Sequence, residues 1–366
     1  MVNHEKYMQK AIDLAIKAEG HTSPNPLVGA VIVKNEEIIG EGYHKKAGDL
    51  HGERNAIKDC LERGNNPEGS TMYVTLEPCC HYGKTPPCTE AIIKYGISQV
   101  VVGSMDPNPK VKGKGIKTLQ DAGITVITGV LEDQCNKVNE IFMHYISTGL
   151  PFVMMKYAMT MDGKIATSKG ESRWITGEKS RENVHKDRNR FKAIMVGVGT
   201  VIKDDPMLNC RIENGSDPIR IICDSHLRTP LHSKIVNTAN EIETIIATTE
   251  ENPNLRSPFL EKGCQLITVT EKNGHLDLKE LISILGKMEI DSILLEGGGT
   301  LNWSALESGV VQQVKTFIAP KIFGGENSIS PVRGPGVDFP KDAFMLKPIS
   351  TTRIGQDIVI ISNVSN

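Results

Sequence analysis

Apolar positions recur along this chain with two different periods, and the change from one to the other marks its elements. Over 4–18 they fall three and four residues apart, the spacing of one helical face, which predicts an amphipathic helix. After the turn-forming run Ser23-Pro24-Asn25-Pro26, short apolar segments at 29–34 and 37–43 read as strands. A helix over 51–62, a strand over 71–75 and a helix near 89–95 follow, with Cys88 expected just before an N-cap at Thr89. Strands at 99–103 and 124–128 flank a helix at 114–122, and a single helix is expected over 131–146.

The run STGLP at 147–151 interrupts this alternation and predicts a boundary between a domain at 1–147 and a second at 148–366. Strands are expected beyond it at 152–159, 193–198, 219–223, 243–247, 264–269, 291–295, 314–319 and 357–362, with a helix at 178–191. The pattern predicts two α/β domains. The second should be mostly parallel, with its ligand beyond the carboxyl ends of the strands.

Composition narrows the function classes. A chain of 366 residues exceeds the usual size of one domain, and 39% hydrophobic content is that of an ordinary globular protein. No apolar run is long enough to cross a bilayer, so no membrane partner is expected. A formal net charge of −2 gives no footprint for a nucleic-acid partner. Charges throughout the first helix distinguish it from a secretory signal, and a cytoplasmic location is expected. Eight cysteines are too sparse for a disulfide framework, so Cys60, Cys135, Cys210, Cys223 and Cys264 are expected to be buried thiols.

The remaining cysteines carry chemistry. His51 precedes Glu53 by two residues, Pro78 precedes Cys79, and Cys88 lies nine residues further on. One imidazole and two thiolates suffice to hold a Zn²⁺ with its fourth position open, the equipment of a zinc-dependent deaminase. A purely structural zinc would normally need a fourth protein ligand. Eight residues separate the two cysteines where two are usual, and Cys80 and His81 offer rival ligands. A zinc with two thiolates and a neutral imidazole carries no net charge and acidifies its water less than an all-histidine site, so a base is needed beside it. Glu53 is that base, taking the water proton and returning protons to the ring nitrogen and departing ammonia. Asn25, His44, His81, Lys84, Asp106 and Asn108 lie in turn segments around this centre, each equally readable as an ordinary turn or surface residue. In the second half, Gly197-x-Gly199-Thr200 and Gly297-Gly298-Gly299-Thr300 each follow an apolar strand, and the second opens a helix whose amides suit a pyrophosphate. Tight turns explain bare glycine runs equally well.

The runs SPNPLVGAVIV, HGE, YVTLEPCCHYGKTPPC and DPNPKVKGKG, then KYAMTMDGKIA, SRWITG, VGVGTVIKDDPMLNCR and LLEGGGTLNW, span nearly the whole chain. In this order the chain resembles the bifunctional deaminase/reductases of riboflavin biosynthesis. The resemblance implies an α/β protein with a cytidine-deaminase-like N-terminal domain and a dihydrofolate-reductase-like C-terminal domain. It implies zinc-dependent deamination of the phosphorylated pyrimidine 2,5-diamino-6-ribosylamino-4(3H)-pyrimidinone 5′-phosphate, then NADPH-dependent reduction to 5-amino-6-ribitylaminouracil 5′-phosphate. It further implies NADPH contacts at Ala158, Trp174, Thr200, Asp204, Ser225, Gly298, Gly299, Thr300, Leu301, Asn302, Trp303 and Ser304. Substrate contacts are implied at Ser172, Arg188, Leu208, Arg211 and Glu296, where the two arginines suit a phosphate. Lys156, with Asp204 and Glu296, is expected to orient the opened ribose and manage protons, and Asn25, Lys84 and Asn108 to meet the deaminase substrate. A second copy of the chain is a further expected partner.

Two positions depart from the family pattern. Gly52 stands where alanine is usual, which should loosen the helix start by up to ~1 kcal/mol. Cys80 stands where serine is usual. Two other readings compete: a single-activity deaminase with a non-catalytic C-terminal domain, and a structural zinc module joined to a nucleotide sensor. NADPH consumption with the deaminated substrate separates all three.

Overall fold

Strand β1 (Gly29–Lys34) is buried on both faces, so helices must cover both. The computed structural model describes residues 3–83 and 86–365. They form two compact units, Met1–Gly149 and Leu150–Asn366. No helix is long and apolar enough to cross a membrane among the described residues.

In the first unit the chain runs α1 (His4–Ile16), β1, β2 (Glu37–Tyr43), α2 (Gly52–Glu62), β3 (Thr71–Leu76), α3 (Cys88–Lys94), β4 (Gln99–Ser104), α4 (Lys114–Asp121), β5 (Thr125–Thr128), α5 (Glu132–Val138) and α6 (Glu140–Thr148). The sheet order is β2-β1-β3-β4-β5, with β1 antiparallel to both neighbours and β3, β4 and β5 parallel. Alternate residues divide between two cores. Val31, Tyr73 and Val101 meet α1 and Cys135 of α5, whereas Ile32, Val74 and Val102 meet Ile57 of α2, Ile92 of α3, Leu119 of α4 and Phe142 of α6.

The single helix expected over 131–146 is in fact two. Asn139 leaves the helical conformation, and its buried side chain accepts from Leu27 N at 2.8 Å and donates to Leu27 O at 2.9 Å. This break lets α5 cover one face of the sheet and α6 the other. The expectation at Cys88 is likewise corrected. It is the first residue of α3, Pro87 is the cap, and Thr89 N donates to Cys79 O at 3.2 Å. Gly52 has a packing role at the start of α2: a Cβ there would stand 2.7 Å from Val28 O, so its absence lets α2 lie close against the start of β1.

The second unit continues with β6 (Phe152–Thr160), α7 (Glu178–Arg190), β7 (Ala193–Gly197), α8 (Val198–Asp204), β8 (Ile219–Cys223), α9 (Lys234–Asn237), β9 (Thr244–Thr248), α10 (Pro253–Glu261), β10 (Gln265–Thr268), the small hairpin β11 (Glu271–Lys272) and β12 (His275–Leu276), and α11 (Leu278–Lys287). Then come β13 (Ser292–Leu295), α12 (Gly299–Glu307), β14 (Gln313–Ala319), a 3₁₀ turn at Pro340–Asp342, β15 (Met345–Ile354) and β16 (Asp357–Ser365). The nine-stranded order is β10-β9-β8-β7-β13-β6-β14-β16-β15. It is parallel from β10 to β14, as expected, and ends in two antiparallel strands. Ala193 and Met195 pack toward α11 and α12, and Ile194 and Val196 toward α8, α9 and α10. Sequence reading missed β15, whose residues are nearly all exposed and give no apolar signal. It also misjudged Cys210, which is half-buried, whereas Cys60, Cys135, Cys223 and Cys264 are buried.

Candidate functional site

Strand β3 and the starts of two helices assemble the first unit's site. His51 caps α2, Cys79 follows β3, and Cys88 begins α3. His51 Nδ1 lies 3.5 Å from each of the two sulfurs, and the three candidate ligand atoms lie within 4.8 Å of one another. The donor chemistry and spacing fit a single zinc through Nδ1 and two thiolates. Cys80 and His81 stand outside this cluster. The Cys80 sulfur faces Lys110 O at 4.0 Å.

The Cys88 N–H donates to the Cys79 sulfur at 3.3 Å. A hydrogen bond from Cys88 lowers Cys79 to about 4, while the same contact holds Cys88 above its ordinary value. The Cys79 hydrogen bond raises His51. Glu53, in the first turn of α2, is 2% exposed, and its Oε2 has no hydrogen-bond partner among the described residues. Burial pushes its carboxyl upward, and the neighbouring Cys79 charge adds to this.

Around this cluster, His44 Nε2 lies 3.2 Å from Asn25 Nδ2, its Nδ1 lies 3.1 Å from Leu50 O, and its ring stands edge-on to His51. Burial lowers the pKa of His44. Asn108 is occupied in a turn, with its N–H on Asp106 Oδ1 and its Oδ1 accepting from Lys110 N. Lys84 lies outside the described residues. Glu77, which the sequence did not single out, accepts from Gly113 N at 3.0 Å and Ile116 N at 3.2 Å. It thereby ties the end of β3 to the segment carrying Asp106 and Asn108. A buried glutamate between two apolar residues is the one signal that marks it.

In the second unit, pairing of β7 with β13 brings together two glycine turns a hundred positions apart. Each opens a helix, α8 after Gly197 and α12 after Gly298. A cavity of about 520 Å³ lies at these strand ends, within the size range of ligand sites. Ser172, Thr200, Asp204, Ser225, Glu296, Gly298, Gly299, Thr300, Leu301 and Ser304 line it. A Cβ on Gly199 would meet nothing within 4 Å, so the backbone there is open to a ligand. The glycine turns and cavity fit a dinucleotide.

Other expected contacts lie elsewhere. Asn302 is fully buried and donates to Pro331 O at 2.8 Å, while Trp303 packs edge-on to Phe344. Leu208 is buried in the core beside α8. Ala158 sits on β6 opposite Phe317 of β14, and Trp174 is 62% exposed beneath Arg181, 4.6 Å from its ring. Lys203, Arg228 and Arg333 also line the cavity. Sequence reading passed over these three cations: Lys203 sits in α8 within the run VGVGTVIKDDPMLNCR but beside the more conspicuous Asp204, and Arg228 and Arg333 come from separate loops outside any such run.

Beside the cavity stands a three-residue charge cluster. Glu296 Oε2 accepts from Lys156 Nζ at 3.0 Å and Arg188 Nη2 at 3.1 Å, and Oε1 accepts from Arg188 Nε at 2.9 Å. Burial alone would raise the Glu296 carboxyl, but the Arg188 and Lys156 charges outweigh it and hold the group well below the carboxylate range. Glu296 is therefore a fixed anion and a poor proton donor, which narrows the role expected for it. Arg211 is exposed and bonded to His185 at 2.8 Å.

Comparison with known proteins matches both units to known families. The family model for the RibD C-terminal domain matches residues 151–360, and that for the cytidine and deoxycytidylate deaminase zinc-binding region matches 1–104. A riboflavin biosynthesis protein RibD of Actinobacillus pleuropneumoniae is 51% identical over 354 residues, covering 97% of this chain and 93% of the relative. One from Aquifex aeolicus is 42% identical, with 97% of each chain covered. Among solved structures, the Thermotoga maritima diaminohydroxyphosphoribosylaminopyrimidine deaminase/5-amino-6-(5-phosphoribosylamino)uracil reductase superposes with a TM-score of 0.88 at 36% identity, covering 99% of both chains.

Proposed function

From the premise that this chain belongs to the bifunctional deaminase/reductase family of riboflavin biosynthesis, we propose how its own residues divide the work. The family fixes the activity. The protein deaminates 2,5-diamino-6-ribosylamino-4(3H)-pyrimidinone 5′-phosphate hydrolytically and then reduces the ribosyl group with NADPH, using a cytidine-deaminase-like and a dihydrofolate-reductase-like domain. The single-activity reading is not favoured. We assign the deaminase domain to 1–147 and the reductase domain to 148–366, and propose a cytoplasmic location, where a reducing compartment keeps the thiol ligands free.

The observation that carries the deaminase assignment is the convergence of His51 Nδ1 and two cysteine sulfurs beside a buried, unpartnered Glu53 carboxylate oxygen. His51, Cys79 and Cys88 hold the zinc, which when bound supplies the Lewis acidity that makes a water nucleophilic at neutral pH. Glu53 Oε2 has no competing partner, so it is free to hold the proton taken from water and to pass it toward the ring nitrogen and the leaving amine. Asn25 and His44 form a hydrogen-bonded edge of the same site, and Asn25, Lys84 and Asn108 are assigned to the substrate.

In the reductase half, the glycine turns after β7 and β13 hold NADPH, with Ser172 and Glu296 on the substrate side of the cavity. NADPH supplies the hydride. Two cations against one carboxylate leave the Lys156–Glu296–Arg188 cluster one net positive charge, which suits an oxygen-rich phosphorylated substrate. Lys156 uses one of its donors on Glu296 and is the cluster's flexible proton-bearing group. Arg211 is assigned to the phosphate. A second copy of the chain is the proposed partner, supported by the exposed edge strand β15 with Met345, Leu346 and Ile349 on its surface.

Ammonia release from the diamino substrate, followed by NADPH oxidation on adding the cofactor, tests the whole reading. Release of ammonia without subsequent NADPH oxidation would return the C-terminal domain to a non-catalytic role.

A further inference from the structure

Helix α7 is anchored to the segment at 208–217 by contacts from His185, Arg188 and Asn189 in its C-terminal half. Arg188 Nη1 donates to Asn209 O at 3.1 Å, Asn189 Oδ1 accepts from Ser216 N at 2.9 Å, and the Cys210 sulfur lies 3.5 Å from His185 O. The fourth contact is of a different kind. His185 Nε2 lies 2.8 Å from Arg211 Nη2. Arginine offers only donors, so Nε2 must accept, which leaves the imidazole neutral with its proton on Nδ1. Burial, with the Arg188 and Arg211 charges, lowers His185 to about 4, consistent with that state. An exposed arginine side chain is ordinarily free to sample many rotamers. This one is held by an acceptor on a rigid helix, three residues from Arg188 on the same face.

We propose that His185 is a positioning residue for the reductase substrate, fixing the Arg211 guanidinium so that it meets the substrate's phosphate already oriented. The role rests on the assignment of Arg211 to that phosphate. It works through preorganisation: the guanidinium keeps four further N–H donors for phosphate oxygens, and the entropy of ordering it is lost on folding and not on binding. His185 itself need not touch the substrate.

Steady-state reductase kinetics of the full chain, with the deaminated ribosylamino substrate and with its dephosphorylated counterpart, tests this. His185→Leu should raise KM for the phosphorylated substrate roughly tenfold, the order expected for loss of one hydrogen bond to a charged group, with kcat and the NADPH KM little changed. The dephosphorylated compound should be affected much less. His185→Gln, which keeps an acceptor, should recover most of the loss and guards against a variant that folds poorly. In an Arg211→Ala background the His185 substitution should have no further effect, because the two act as one unit. Equal losses with both substrates, or a His185 effect that persists without Arg211, would overturn the positioning role. If Arg211→Ala leaves the preference for the phosphorylated substrate intact, the phosphate assignment itself fails, a result distinct from failure of His185 alone.

Discussion

Replacing Glu53 by glutamine isolates the proton-handling step from everything else in the deaminase site. The side chain keeps its size, and the three candidate ligand atoms, His51 Nδ1 and the sulfurs of Cys79 and Cys88, are untouched, so zinc should stay at about one per chain. The fold should not suffer. Glu53 is 2% exposed, one of its oxygens has no partner, and burial already disfavours its charge, so a neutral amide removes a desolvation cost. What is lost is the proton carrier. A positioned general acid–base contributes roughly 10²–10⁴-fold, or about 3–5 kcal/mol of barrier, and ammonia release should slow by that factor. Reduction uses groups on other strands, the Lys156–Glu296–Arg188 cluster and the glycine turns of the second unit, and should proceed at near-normal rate when the deaminated intermediate is supplied. The assays are zinc content, ammonia release and NADPH oxidation on one preparation. A variant that holds zinc and still deaminates within a few-fold of the parent would remove Glu53 from the chemistry. One that loses both reactions while folded and zinc-loaded would refute the separation of the sites.

Four other outcomes follow from the same geometry. Cys79→Ser or Cys88→Ser should lose zinc and deamination while Cys80→Ser keeps both, as metal analysis will show, because the Cys80 sulfur faces Lys110 O away from the cluster. Glu296→Gln strips the countercharge from two nearly buried cations and should cost roughly 3 kcal/mol in denaturant unfolding of the reductase transition, slowing reduction while ammonia release continues. NADPH should exceed NADH in kcat/KM, since Lys203, Arg228 and Arg333 line the cavity and an added phosphate favours cations; equal efficiencies would count against it. His185 binds its proton in the unfolded chain near pH 6.5 but in the folded protein only near 4, so its contribution is complete above 6.5 and is lost as pH falls toward 4. Thermal unfolding of His185→Gln should therefore depend less on pH across that window than unfolding of the parent.

The sequence by itself determined the chemistry of the first site, because its members lie on short-range scaffolding. His51 and Glu53 share the start of α2, and Cys79 and Cys88 bracket one loop between β3 and α3, so residue type and spacing carry most of the information. Periodicity likewise located most helices and strands, since a buried face repeats every two or 3.6 residues whatever lies across from it. It missed β15, which has no buried face, and the break at Asn139, where a side chain bond to Leu27 across 112 residues outweighs local helical preference. For the second site the resemblance supplied the residues, and only the tertiary structure decided how they meet. Glu296 meets Lys156 across 140 residues and Arg188 across 108, and the two glycine turns meet because β13 inserts between β7 and β6. Strand order is set by how whole layers pack and by which charges can be neutralised together, and neither leaves a local mark on the chain. The same holds for the pairing of His185 with Arg211: the resemblance implied a substrate role for Arg211, but nothing in the sequence linked it to His185, and it is α7 and the segment after Leu208 that place them 2.8 Å apart.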